Sequence, residues 1–140
     1  MKNIPHWKSY RTRRFELRPY KMSDYDTWRA AYVDRLPKQN RWDRAPMDPH
    51  QCRRSDFQTL LRRHHSMARR DLTYVYGAFL KKNSTLVGTI DIHVICRRHY
   101  QMANLGYQIH NRYWRNGYGT EAARAGLKIG FSHLKLNRLE

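Results

Sequence analysis

The chain has 140 residues, room for one domain and not comfortably for two. Its two cysteines, Cys52 and Cys96, lie far apart, which excludes a disulfide framework and a zinc-ligand pattern. Lysine and arginine number 28 against 11 acids, a net charge of +17, which calls for anionic partners such as nucleic acid, ribosome, acidic peptide or a phosphorylated cofactor without choosing among them.

Met1-Lys2-Asn3-Ile4-Pro5-His6-Trp7 has no apolar h-region, so no signal peptide is expected. No apolar run approaches the ~20 residues that span a bilayer. The expectation is a soluble cytoplasmic protein with two free thiols and no membrane partner.

Phe15-Glu16-Leu17-Arg18 alternates apolar and polar before Pro19 and predicts a short first strand. Ser23, with Asp26 at capping-box spacing, opens a helix through Trp28, Ala31, Tyr32 and Arg35, which Pro37 stops. Residues 38–50 carry Pro46 and Pro49 and read as a loop. A second helix is expected over 55–69, with Phe57, Leu60, Leu61, His64 and Ala68 on one face. Around its other face stand Arg53, Arg54, Arg62, Arg63, Arg69 and Arg70, either a solvated surface or a dock for a polyanion. Residues 74–80 and 86–95 form a hairpin about the polar 81–85. On its second strand Ile90, Ile92 and Val94 share one face, and Asp91 and His93 the other. Tyr74 and Tyr76 read as core or sheet surface. Residues 102–109 form a further strand, with Leu105, Tyr107 and Ile109 on one face. The last helix is expected over 120–134, burying Ala123, Leu127, Phe131 and Leu134.

Between that strand and that helix stands Trp114-Arg115-Asn116-Gly117-Tyr118-Gly119-Thr120-Glu121-Ala122. A strand, a Gly-x-Gly turn and a helix make a phosphate cradle. The first helical N–H groups have no partner inside the helix, and the helix dipole adds positive potential there. Glycines let the backbone bend and approach an anion. Arg115 can add a charged hydrogen bond. The segment is not a P-loop, because no Gly-Lys-Ser/Thr follows, and not a dinucleotide fingerprint, because a third glycine is missing. Glu121, in the first helical turn, reads as structural. His64-His65 beside Met67 lacks Cys or carboxylate partners at ligand spacing, so no metal is expected.

In this context Leu105-Gly106-Tyr107-x-Ile109 followed by Tyr113-Trp114-x-x-Gly117-Tyr118-Gly119-Thr120-Glu121-Ala122 resembles motif A of the GNAT superfamily, in the branch of RimJ/RimL-type ribosomal-protein N-acetyltransferases. Leu17-Arg18-Pro19 with Ser23-Asp24, Leu86-Val87-Gly88-Thr89-Ile90, and Arg138-Leu139 resemble other segments of that branch. The general motif carries Gln or Arg where this chain has Trp114. The resemblance implies a single α+β domain over 1–140, with a mixed, mostly antiparallel central sheet flanked by helices. It also implies direct acetyl transfer from acetyl-CoA to a primary amine such as a protein or peptide N-terminus. The cofactor contacts it implies are backbone groups of Gln108 and Ile109 and the turn Trp114, Arg115, Asn116, Gly117, Tyr118, Gly119 and Thr120. Asp91 and His93 are the candidates for the base that takes the amine proton.

The family continues past Glu140, so the resemblance also implies that this chain lacks the C-terminal strands and helix. Strand 102–109 would then be an exposed edge, and the last helix would show an apolar patch. Alternatives are therefore a truncated, catalytically impaired relative, a homodimer completing the site in trans, or a basic RNA- or ribosome-binding module without catalysis.

Overall fold

A computed structural model describes residues 8–140; the N-terminal heptapeptide, with Trp7, lies outside them. Among the described residues six strands form one sheet in chain order: β1 (Tyr10–Arg11), β2 (Phe15–Arg18), β3 (Thr73–Leu80), β4 (Leu86–Cys96), β5 (Met102–Ile109) and β6 (Arg138–Leu139). The pairs from β1 to β5 are antiparallel, and β5 and β6 run parallel. The expected mixed, mostly antiparallel sheet is thus present. The strand expected first, Phe15–Arg18, is the second, because Tyr10–Arg11 pairs ahead of it. The edge of β5 is not wholly bare, because β6 covers Met102 and Ala103.

Alternation of side chains divides the sheet into two faces. On one, Phe15, Leu17, Tyr74, Tyr76, Ile90, Ile92 and Ile109 are buried beneath α3 (Tyr118–Lys128). Over the other lie α1 (Tyr25–Val33) and α2 (Arg54–Arg69), where Tyr20, Trp28, Cys52, Phe57 and Phe79 form a second cluster. The Trp28 and Phe57 rings meet at a tilt of 32° with centroids 4.8 Å apart, so aromatic burial joins the two helices.

Helix α1 starts later than expected and ends earlier. Its entry is a 3-10 turn, Met22–Asp24, in which Asp24 accepts a hydrogen bond from Lys21 N–H (2.7 Å) and pairs with Arg18 (2.7 Å). The Ser23 and Asp26 spacing is therefore not the cap. The helix stops at Val33, before Arg35.

The phase expected for α3 is also corrected. Ala122, Gly126, Ile129 and Gly130 face the sheet, while Leu127 and Phe131 are 39% and 44% exposed. Sterics explain the choice. A Cβ on Gly126 would lie 2.7 Å from Leu105, and one on Gly130 would lie 2.5 Å from Leu139. Small residues let the helix sit close to β5 and β6. After Lys128 a π turn, Ile129–His133, shifts the phase so that Leu134 returns to the core. No helix among the described residues is long and apolar enough to cross a membrane.

Candidate functional site

The phase of the β5 ladder is set by two bonds. His110 N–H donates to Val87 O (2.8 Å), toward β4, and Leu105 N–H donates to Glu140 O (2.7 Å), toward β6. Successive residues of a strand alternate between its edges. Gly106 and Gln108 therefore bond β4, opposite Asp91 and Thr89, while Tyr107 and Ile109 turn their main chains outward. Since β6 pairs only with Met102 and Ala103, the edge from Tyr107 to Ile109 has no strand partner among the described residues. Of the two expected backbone contacts, Ile109 faces this open edge. The main chain of Gln108 turns to β4 in the ladder, and that of Tyr107 faces the open edge with Ile109.

Beyond β5, the turn is braced on both sides. Trp114 Nε1–H donates to Ile109 O (2.7 Å), tying the turn to the strand end. Asn116 Nδ2 donates to Tyr113 O (3.0 Å) and Trp114 O (3.1 Å). Arg115 and Gly117 both lie in the left-handed region, with φ of 62° and 75°. Gly117 adopts it without the ~1–2 kcal/mol that a Cβ adds there.

Gly117 is the N-cap of α3, and no side chain caps it. By contrast, α2 begins with Asp56 accepting from Arg53 N–H (2.9 Å). The N–H groups of Tyr118, Gly119 and Thr120 are therefore left without a helical partner. Gly119 is informative for what it does not do. A Cβ there would meet only Tyr107 at 3.5 Å and Ile109 at 3.9 Å, ordinary contacts. The protein's own packing does not require glycine at this position.

Glu121 holds the turn from below. Its Oε1 accepts from Thr12 Oγ1 (2.6 Å) and Arg14 N–H (2.8 Å), and its Oε2 pairs with Arg14 Nε (2.6 Å). Burial alone would raise this carboxyl, but the bonds from Thr12 and Arg14 reverse that and hold it below its ordinary value. Glu121 thus clamps the β1–β2 hairpin to the first turn of α3. Arg14 also donates to Asn116 O (2.7 Å) and lies over the Tyr118 ring at 4.4 Å. Beside the turn a groove of about 680 Å³ runs between the β1–β2 hairpin and α3, lined by Arg11, Arg13, Arg14, Arg124 and Lys128.

On the opposite side, the connection after α1 is locked to the end of β5 by a buried network. Arg35 and Asp43 pair at 2.8 Å with side chains 1% exposed. Arg35 Nη1 donates to His110 Nδ1 (3.1 Å), and Asn111 bridges to Asp43 Oδ2 (2.9 Å), Leu36 N (3.1 Å) and Leu36 O (2.9 Å). Burial, with Arg35 alongside, lowers the His110 imidazole to about 4, so it is neutral and accepts the Arg35 proton at Nδ1. Burial pushes the Asp43 carboxyl up, yet the bonds from Asn111, Gln39 and Arg44 and the charge of Arg35 take it below its ordinary value. Spacing carries no signal for these four residues, which are up to 76 positions apart (111 less 35).

Asp91 and His93 do share a face, and both line a cleft of about 850 Å³ between the sheet, α2 and the 34–44 connection. Asp91 lies flat on the backbone of Gly106, where a Cβ would come within 2.6 Å of its Oδ1. Burial raises its carboxyl, with His93 pulling the other way. His93 is exposed and its Nδ1 shares a hydrogen bond with Thr73 Oγ1 (2.9 Å). The same cleft takes in Thr89 and Gln108 beside the open edge, so the side chain of Gln108 faces it.

The model of the acetyltransferase (GNAT) domain matches residues 14–140, nearly the whole chain. The chain belongs to the GNAT acetyltransferase family. GNAT acetyltransferases use acetyl-CoA as the acyl donor. Over 64 residues the chain is 34% identical to the Bacillus subtilis (strain 168) protein YoaA, described as an uncharacterized N-acetyltransferase; the match covers 46% of this chain and 36% of that protein. A candidate ribosomal-protein-serine acetyltransferase from Vibrio cholerae superposes with a TM-score of 0.74 at 26% identity, over 94% of this chain and 71% of that one. Mycobacterium smegmatis RimJ in complex with CoA-disulfide has the same fold, with a TM-score of 0.72 at 20% identity, over 89% of this chain and 60% of that one. Trp114, where the GNAT motif has Gln or Arg, acts here as a strut to Ile109 O.

Proposed function

We propose that this GNAT domain is an N-acetyltransferase that holds acetyl-CoA at the 114–120 turn and acetylates the amino terminus of a protein or peptide. The observation that supports it best is the uncapped start of α3. Three unpartnered N–H groups, a helix dipole and a glycine that packing does not require meet at one point. The residues fit a pyrophosphate, with Arg115 exposed beside it and a cationic groove adjoining. Bound there, acetyl-CoA supplies an activated thioester. Ile109 N–H, on the open edge, would donate to the carbonyl oxygen as charge builds on it. Tyr107 presents main-chain groups to the pantetheine arm on the same edge.

The amine enters from the other side of β5, through the cleft over Asp91. Its nitrogen would bond to the acyl carbon while the carbon–sulfur bond breaks and coenzyme A leaves as its thiolate, and the proton shed by the nitrogen would go to Asp91, directly or through one water. A carboxylate with a raised pKa, exposed to a cleft and bonded to no other described residue, suits that role better than His93, which is tied to Thr73. We place this reaction within one domain and in the cytoplasm. Structural likeness to ribosomal-protein acetyltransferases supports a protein acceptor.

Calorimetry with acetyl-CoA tests the reading. One-to-one binding is expected, and an absence of heat above dilution would remove it. A second reading, docking to RNA or the ribosome, is favoured by Arg53, Arg54, Arg62, Arg63, Arg69 and Arg70, all exposed along α2 and its ends. It predicts RNA affinity that falls steeply with salt, and salt-insensitive or absent binding would sink it.

A further inference from the structure

We propose that the acceptor is an acidic peptide amino terminus, read by Arg44 and Arg63 across the cleft from Asp91. This rests on the acetyltransferase reading above and adds the substrate's charge pattern. The floor of the cleft runs along β4 from Thr89 through Asp91 to His93. Four residue steps of strand span ~13 Å, the length of about four residues of extended peptide. A single small amine would leave most of that floor uncovered.

The charges of the cleft form a pattern. Asp91 supplies a lone carboxylate on the floor, suited to an incoming ammonium group. Arg44 and Arg63 line the walls, exposed and with no ion pair to any other described residue. The main chain of Arg44 is held in place, because its N–H donates to Asp43 Oδ1 (2.8 Å) and Asp43 is anchored by Arg35 and Asn111. Arg63 projects from the rigid helix α2. His64, the other basic group on that wall, is neutral, since burial and Arg63 lower it to about 4. Trp42, 81% exposed with Arg41 over its ring at 4.6 Å, stands on the same cleft as an apolar contact for the peptide backbone. One anion on the floor and two cations on the walls mirror an amino terminus followed by acidic side chains.

The test is direct binding, which needs neither acetyl-CoA nor turnover. Three tetrapeptides with a free amino terminus and a C-terminal fluorophore are titrated by anisotropy: Ser-Asp-Glu-Ala, Ser-Asn-Gln-Ala and Ser-Lys-Lys-Ala. The acidic peptide is expected to bind at least tenfold more tightly than the neutral one. The Arg44→Gln, Arg63→Gln double variant should abolish that preference, whereas Arg124→Gln, in the other groove, should leave it within twofold. Equal binding of acidic and neutral peptides overturns the proposal. So does a preference that survives the double variant or falls equally with Arg124→Gln, since either would reflect the general charge of the chain. Phosphoethanolamine competing as well as the acidic peptide would also overturn it, in favour of a small anionic amine. Because acetyl-CoA is absent, failure here leaves the calorimetric test of the acetyltransferase reading untouched.

Discussion

Replacing Gly119 with alanine should raise the stability of the fold and lower its affinity for acetyl-CoA. The added Cβ lies 3.5 Å from Tyr107 and 3.9 Å from Ile109, so nothing in the protein must move. Gly119 is inside the first turn of α3 and its φ is not positive. Alanine at such a site restricts the unfolded chain and favours helix, worth about 0.4–1 kcal/mol. For a domain of this size that is about 1–4 °C in Tm. A pyrophosphate at the helix start would meet the new methyl group. Loss of one charge-assisted hydrogen bond costs about 1.5–3 kcal/mol, or roughly 10- to 150-fold in Kd. Scanning calorimetry and titration calorimetry on the same sample give both quantities. Gly117→Ala is the counterpart: its φ of 75° predicts a loss of about 1–2 kcal/mol of stability. A Gly119→Ala protein that is more stable and binds acetyl-CoA as tightly as the parent would refute the assignment of the turn.

Asp91→Asn should fold normally and lower kcat by about 10²–10⁴-fold, and the acid limb of the pH–rate profile should vanish; a variant within threefold of the parent would exclude Asp91 as the base. Stability should fall between pH 6.5 and 4, because the unfolded chain binds a proton at His110 that the buried imidazole refuses. That contribution is present above the unfolded pKa of 6.5 and is lost as pH drops to about 4, at ~1.4 kcal/mol per pH unit or about 3 kcal/mol in all. Denaturant midpoints of the parent and His110→Gln across this range check it, and identical pH dependence in the two would contradict it. Glu121→Gln should cost about 1–2 kcal/mol, discounted for the partial exposure of Arg14, and should weaken acetyl-CoA binding by loosening the turn; unchanged affinity would show that the clamp serves stability alone.

Much of this was legible in the residues. Alternation located β2 to β5, and the strand, glycine and helix order located the turn. Helix α3 shows where such reasoning slips. Size and periodicity point Leu127 and Phe131 to the core, yet both are exposed and the stripe that packs is Ala122, Gly126 and Gly130. That stripe repeats every fourth residue and was itself a readable sign of close helix–sheet contact. Ladder phase is a second limit, because the edge that the main chain of Gln108 or Ile109 serves is set by pairing of His110 with Val87. The Arg35, Asp43, His110 and Asn111 network had no local signature, since its members meet only when the connection after α1 folds onto the end of β5. The same holds for the acceptor cleft, whose walls come from α2 and the 34–44 connection.

The most direct measurement is an amide chemical-shift titration of the isotope-labelled protein with acetyl-CoA. The account predicts the largest saturating changes at the N–H groups of Tyr118, Gly119, Thr120 and Ile109, with Gln108 shifting less than Ile109. Changes centred elsewhere, or none at saturating acetyl-CoA, would contradict it.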